Sequence, residues 1–207
     1  MVDDLIAGHG RFRLEYAADE RAFLERLASD GQRPGALFVG CADSRVIPEL
    51  LTGATPGQLF VVRNVANVIP PSGGAAVSVG AALEFAIGHL AVANLIVCGH
   101  DRCGGVEAIL DGAPLDPGSD LAAWLAPVRP PVERARAAGT DRTTQLRRAV
   151  EENVLEQLAN SLSYPVVQAA RDGGRLDLHG WVYDIETFGL RVFDPQLDAF
   201  VSVAPSE

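Results

Sequence analysis

The sequence contains no lysine: all 17 of its basic residues are arginine. With no amine on any side chain, Schiff-base chemistry and the phosphate-binding lysine of a P-loop are excluded. Cysteine is scarce too, with three residues, and an odd number cannot close a complete disulfide framework. In a reducing compartment such thiols serve as buried residues, metal ligands or nucleophiles. Positive charge is in deficit, since 27 acidic residues against 17 basic leave a net charge of −10. That balance disfavours a nucleic-acid partner, which needs a basic face against the phosphates. It also weighs against an anionic membrane surface. No apolar run reaches the roughly 18 residues of a membrane span. The opening MVDDLIAGHGRF is acidic and too poor in apolar residues for a signal peptide. These absences point to a cytoplasmic protein with neither nucleic-acid nor membrane partners. What is present is ordinary for a globular chain, 48% apolar and 21% charged, and 207 residues fit one domain with a sizeable core.

Three short apolar runs organise the chain: ALFVGC (36–41), QLFVVRN (58–64) and NLIVCGH (94–100). Each is nearly continuous rather than alternating, as expected for strands covered on both faces of a parallel sheet. AADERAFLERLASD (17–30) reads as a helix with Phe23, Leu24 and Leu27 on one face. AAVSVGAALEFAIGHLAV, rich in small residues, reads as the helix of a right-handed crossover between the second and third runs. Five prolines between residues 113 and 139 predict broken helix and loop. A long helix follows, capped by Thr140 or Asp141, with a stripe at Leu146, Val150, Val154, Leu158 and Leu162. Tyr164-Pro165 interrupts it, and a shorter helix runs on to Gly173-Gly174. LDLHGWVYDIE and LRVFD predict two strands joined at Thr187-Phe188-Gly189 as an antiparallel hairpin at the sheet edge. The fold class is α/β: a mostly parallel central sheet flanked by helices, with an antiparallel edge strand and an N-terminal helical arm.

Two of the parallel strands end in reactive residues. The first ends in Gly40-Cys41-Ala42-Asp43-Ser44-Arg45 and the third in Gly99-His100-Asp101-Arg102-Cys103-Gly104-Gly105. In open α/β sheets, sites form beyond the carboxyl ends of strands, so neighbouring strands would bring Cys41, His100 and Cys103 together. Two thiolates and an imidazole suit zinc. Three protein ligands with an open fourth position is the arrangement of catalytic zinc, where water is activated. Gly99, Gly104 and Gly105 are expected to let the backbone turn tightly around the ion. A lone H-x-x-C is weak evidence; the C-x-D-S-R at another strand end strengthens it. Cys41 read alone is also a candidate nucleophile, its thiolate stabilised by Arg45. Cys98 reads as a small buried residue, His9 and His89 as surface or helix residues, His179 as a satisfied core histidine, and Trp124 and Trp181 as packing residues. Asp43 and Arg45 form either a solvated ion pair of little energetic value or a dyad in which Arg45 keeps Asp43 ionised and Asp43 orients the attacking oxygen. Arg63-Asn64-Val65-Ala66-Asn67, closing the second strand, should point polar groups into the same region.

C-A-D-S-R, R-N-V-A-N, G-H-x-x-C-G-G and H-G-W-V-Y-D, in this order from about residue 8 to about residue 195, resemble the β-class carbonic anhydrases. The resemblance implies one zinc ion per subunit on Cys41, His100 and Cys103, with Asp43 and Arg45 as the catalytic dyad. It implies reversible hydration of carbon dioxide to bicarbonate by zinc-bound hydroxide. It also implies a dimer or tetramer, with residues 1–34 as an arm laid on the partner subunit. The family has an open-site variant, and a closing variant with a regulatory bicarbonate pocket built on a Trp, an Arg and a Tyr. Arg63 and Tyr183 match that pocket, but Phe38 stands where the Trp would be. Gln32 matches the open, plant-like variant, and so do Phe60 and Val65 of its apolar pocket; Phe85 replaces its Tyr and so removes a phenol hydroxyl. The open variant is therefore the expectation, with Gln32, Phe60, Val65, Phe85 and Gly104 around the substrate. Two alternatives stand beside it: a related zinc hydrolase of carbon disulfide or carbonyl sulfide, and a non-catalytic zinc-binding or sensing protein.

Overall fold

The computed structural model describes residues 1–74, 77–138 and 141–204. It divides into two compact units, Met1–Arg33 and Pro34–Glu207. The first unit is helical: α1 (Val2–Leu14), α2 (Tyr16–Asp19) and α3 (Arg21–Asp30). The expected helix over 17–30 is thus broken at Glu20, and α1 falls in the expected N-terminal helical arm, where sequence reading had not delimited it as a separate helix. Phe23, Leu24 and Leu27 are half-buried, whereas Val2, Leu5, Ile6, Phe12 and Tyr16 of the first helices are exposed.

The second unit is built on β1 (Ala36–Cys41), β2 (Leu59–Asn64), β3 (Asn94–His100), β4 (Asp177–Tyr183), β5 (Leu190–Asp194) and β6 (Ala199–Ser202). They form one six-stranded sheet in the order β2-β1-β3-β4-β5-β6. The first four strands are parallel; β5 and β6 run antiparallel. The predicted hairpin is therefore present, but β6 extends it and becomes the edge. AFVS is too short to announce itself as a strand. Its turn is made by Asp194, whose Oδ1 accepts from the amides of Gln196 and Leu197, with Asp198 in the left-handed region. β1 is buried along its whole length, as its continuous apolar run predicts. β2, with a similar run, is an edge strand and only half-buried.

Between the strands lie α4 (Pro48–Thr52), α5 (Val77–Leu83), α6 (Gly104–Leu110), α7 (Asp120–Trp124), α8 (Arg129–Ala138), α9 (Arg142–Ser161) and α10 (Pro165–Asp172). Asp141 caps α9 by accepting from the Thr144 amide; the alternative cap, Thr140, lies outside the described residues, as do Ala75 and Ala76 of the crossover helix. That helix changes from α5 into a π-helical turn over Glu84–His89. Alternation sorts the strand side chains between two clusters. Leu37, Val39, Leu95, Val97 and Val182 pack against α5, α6, α8, α9 and α10. Phe38, Ile96 and Cys98 face the other way, with Leu51, Val61 and Trp181 packed on them. Each fully buried aliphatic side chain contributes about 1.5–3 kcal/mol. α9 rests on the sheet at two glycines. A Cβ on Gly99 would meet Val154 at 2.8 Å, and one on Gly180 would meet it at 3.1 Å. Among the described residues, no helix is long and apolar enough to cross a membrane.

A candidate metal centre at the ends of β1 and β3

From β1 the chain crosses to β2 on one side and reaches β3 on the other. The carboxyl ends of β1 and β3 therefore flank a topological switch point, where open sheets leave a crevice. Cys41 ends β1, His100 ends β3, and Cys103 is the residue before α6. All three are buried, and their ligand atoms lie within 4.8 Å of one another. The two sulfurs are 3.9 Å apart. Two sulfurs bound tetrahedrally to zinc at its usual bond length would be about 3.8 Å apart.

The imidazole is oriented for the same purpose. His100 Nδ1 lies 2.9 Å from the Asp101 carbonyl oxygen. A carbonyl only accepts, so Nδ1 carries the hydrogen and Nε2 keeps its lone pair. Nε2 is fully buried and has no hydrogen-bond partner. An orphaned buried nitrogen costs free energy unless something fills its coordination. The donor set and this nitrogen together fit a zinc ion. The two sulfurs lie within hydrogen-bonding reach of each other. Cys41 is drawn down to about 4, first by a hydrogen bond from Cys103 and then by His100, against the effect of burial. The same hydrogen bond, with burial, drives Cys103 up. Cys98 sits in the opposite cluster, where burial pushes its thiol to about 12; it is the inert core residue the sequence predicts.

Asp43 stands over the donor set, with Oδ2 3.8 Å from His100 Nε2. Arg45 grips both carboxylate oxygens: its Nε and amide reach Oδ1 at 2.9 Å, and Nη2 reaches Oδ2 at 2.7 Å. These bonds, with His100 adding charge, hold the carboxyl well below the usual range. Arg63 braces the loop from behind, donating to the carbonyl oxygens of Cys41 and Asp43. Phe38 is buried against Trp181. Of the counterparts of the Trp-Arg-Tyr pocket, Phe38 and Tyr183 belong to one apolar cluster, and Arg63 is in register with Gly40, which the Phe38 ring covers. Tyr183 also lines a cavity of about 400 Å³ with Arg45 and Phe188.

The Val65–Asn67 segment is held in an unusual backbone shape, with Ala66 at φ 61° and Asn67 at φ 47°. Sequence reading missed what holds it. Trp124 Nε1 donates to the Val65 carbonyl, so this indole supports the site loop as well as packing. Asn153 donates to the Ala66 carbonyl, and Gln157 donates to Asn153 while accepting from the Ile69 amide. Asn153 and Gln157 are buried polar residues four apart on α9; their place beside an apolar stripe was the available signal. Val65 borders the ligand turn, since a Cβ on Gly105 would meet it at 3.2 Å. Phe60 and Phe85 pair with ring centres 5.8 Å apart, and Phe85 packs in turn against the tilted ring of His89. Gln32 is exposed in the N-terminal unit. The expected glycine turn is corrected by the backbone. Gly99, Gly104 and Gly105 do not adopt positive φ; Arg102, between the ligands, does, at φ 57°. Gly99 is needed for helix packing and Gly105 for the approach of Ala66 and Val65, while a Cβ on Gly104 would meet nothing within 4 Å.

A sequence model described as carbonic anhydrase matches residues 36–190. A carbonic anhydrase of Pseudomonas aeruginosa is 41% identical over 206 residues, which cover 97% of this chain and 91% of that protein. The chain belongs to the β-carbonic anhydrases. Among solved structures, the β-carbonic anhydrase CcaA superposes with a TM-score of 0.87 at 35% identity, over 99% of this chain and 92% of that one. A tetrameric β-carbonic anhydrase of Sordaria macrospora superposes at 0.83 with 28% identity, over 98% of each chain. This protein is therefore an enzyme of the carbonic anhydrase type. β-Carbonic anhydrases are zinc enzymes, and the Cys41-His100-Cys103 group is the place in this one where a metal can bind.

Proposed function

We propose that this β-carbonic anhydrase catalyses reversible hydration of carbon dioxide to bicarbonate and a proton, with Cys41, His100 and Cys103 holding zinc and Asp43 and Arg45 working as a pair. The observation that carries the reading is the Asp43 carboxylate, which stands 3.8 Å from His100 Nε2 with both oxygens gripped by Arg45. When bound, zinc supplies Lewis-acid activation of water. Asp43, kept anionic by Arg45, can only accept hydrogen bonds. It takes one from the attacking water and thereby turns the oxygen lone pair toward the carbon. Because Arg45 already occupies it, Asp43 leaves the fourth position to the chemistry, and this supports the open variant. The substrate is small and neutral, which suits an apolar wall of Phe60, Val65 and Phe85. Gln32 would donate a hydrogen bond to a substrate oxygen, and Gly104, without a side chain, leaves room beside the third ligand. The exposed apolar residues of α1 support an arm over residues 1–34 that packs on a partner subunit in a dimer or tetramer.

Four measurements test this. Cys41→Ser should lose zinc and hydration together by metal analysis and stopped-flow assay; a zinc-free, fully active variant would sink the assignment. Asp43→Ala should keep zinc while hydration falls by about 10²–10⁴-fold, the range for loss of a positioned proton acceptor. X-ray absorption at neutral pH should show no carboxylate oxygen from Asp43 on the zinc; finding one would refute the open site. Turnover of carbon disulfide or carbonyl sulfide without hydration of carbon dioxide would move the assignment to a hydrolase.

A further inference from the structure

Among the described residues, Arg191 is the one arginine or acidic residue that is buried, at 9% exposure. Burying a guanidinium is costly unless its partners are well placed. Its first partner lies inside the ligand turn: Nη1 and Nη2 reach the two carboxylate oxygens of Asp101 at 3.0 and 3.1 Å, a fork-on-fork pair. Its second is Glu151 on α9, whose Oε1 is 3.2 Å from Nε. That contact is off the hydrogen-bonding direction, so it acts through charge. Glu151 is held in turn by Arg147 at 3.3 Å.

Asp101 is tied to the ligand at its other end. Its carbonyl oxygen accepts from His100 Nδ1 at 2.9 Å, and its amide donates to the Tyr183 carbonyl at 2.9 Å. The next residue, Arg102, is in the left-handed region at φ 57° and is anchored only at the surface, to Glu186 at 2.6 Å. The segment between two candidate metal ligands therefore holds a strained residue, and the partner of the Asp101 carboxylate beside it is Arg191.

We propose that Arg191 is a positioning residue for the metal centre: through Asp101 it fixes the carbonyl that orients the His100 imidazole, and it sets how long zinc is retained. The chain of contacts runs from β5 to Arg191, to Asp101, to His100. Partners that orient a ligating imidazole contribute about 10- to 100-fold to metal affinity when removed one at a time. Arg191 acts at one remove, so its loss is transmitted only through Asp101. This rests on the zinc reading above.

The test uses the full-length, zinc-loaded protein with Arg191→Gln, Arg191→Lys, Asp101→Asn and the double variant Arg191→Gln/Asp101→Asn. Zinc release to a chromogenic chelator is followed at fixed pH, and the cobalt-substituted forms are compared by visible spectroscopy. Arg191→Gln and Asp101→Asn should each release zinc about 10- to 100-fold faster and shift the cobalt bands. The double variant should be no faster than the quicker single, because both changes break one link. Arg191→Lys keeps charge without the fork and should fall between. Arg134→Gln, which breaks an ion pair with Glu152 and Glu156 elsewhere on α9, should leave release and spectrum unchanged. Wild-type release and an unchanged cobalt spectrum in Arg191→Gln, with only a lower melting temperature, would overturn the inference. If Arg191→Gln does not fold, Asp101→Asn decides by the same two readouts. If the wild-type protein takes up no zinc, the zinc reading itself has failed, which is a separate result.

Discussion

At the scale of single residues, several glycines have roles set by close approach. Gly99 precedes a candidate zinc ligand, yet its own work is to admit α9: a Cβ there would meet Val154 at 2.8 Å and Val150 at 3.1 Å. Gly99→Ala is expected to destabilise the protein by about 1–3 kcal/mol, the usual cost of overpacking. Val154→Ala in the same chain should return part of that loss, and urea unfolding of the single and double variants measures it. Additive losses would show that the crowding lies elsewhere. The convergence of the candidate ligands was legible because chemistry restricts them: two thiols and an imidazole at the ends of buried runs have few other uses. Asp101 and Arg191 were not legible, because 90 positions separate them and only the fold places β5 beside the turn. Arg102 was misleading for a different reason. Three nearby glycines invite the expectation of a glycine turn, but the left-handed residue is the arginine among them.

At the scale of elements, α9 is the helix on which the sheet and the site loop both depend. Its N-terminus is closed by Asp141, which accepts from the amide and hydroxyl of Thr144. Those bonds, the hydroxyl first, hold the Asp141 carboxyl below its ordinary value. A carboxyl depressed on folding favours the folded state above its unfolded value, and that contribution is lost as pH falls through the folded value. Asp141→Ala should therefore melt lower than wild type at neutral pH, with the gap closing as the pH falls below about 4. Asp141→Asn should cap nearly as well and show little of that dependence. Calorimetry across pH checks both, and a gap independent of pH would show that the carboxylate charge plays no part. The long elements were readable from periodicity, α9 by its stripe and β1 and β3 by their unbroken apolar runs. β6 escaped because four residues carry no period, and α1 was not delimited because Gly8 and Gly10 interrupt an otherwise helical spacing of Val2, Leu5, Ile6 and Phe12.

At the scale of the whole molecule, the N-terminal helices leave Leu5 70% and Ile6 65% exposed, more apolar surface than an isolated helix keeps at no cost. Under the proposed arm-on-partner arrangement, Leu5→Glu with Ile6→Glu should lower the mass seen by sedimentation toward that of a single 21.9 kDa chain. An unchanged assembly would place the subunit contact elsewhere. The sheet order has a consequence in time. β1 is among the first strands to leave the ribosome, yet it lies between β2 and β3, so it gains its second neighbour only when Asn94–His100 has been made. Cys41 must wait for Cys103, and the tether on the turn that holds Cys103 waits for Arg191 on β5. A nascent chain that meets zinc early offers it three cysteines and four histidines in no fixed arrangement. Under the zinc reading, Cys41, His100 and Cys103 are thus selected as donors only once β1, β3 and β5 stand in one sheet.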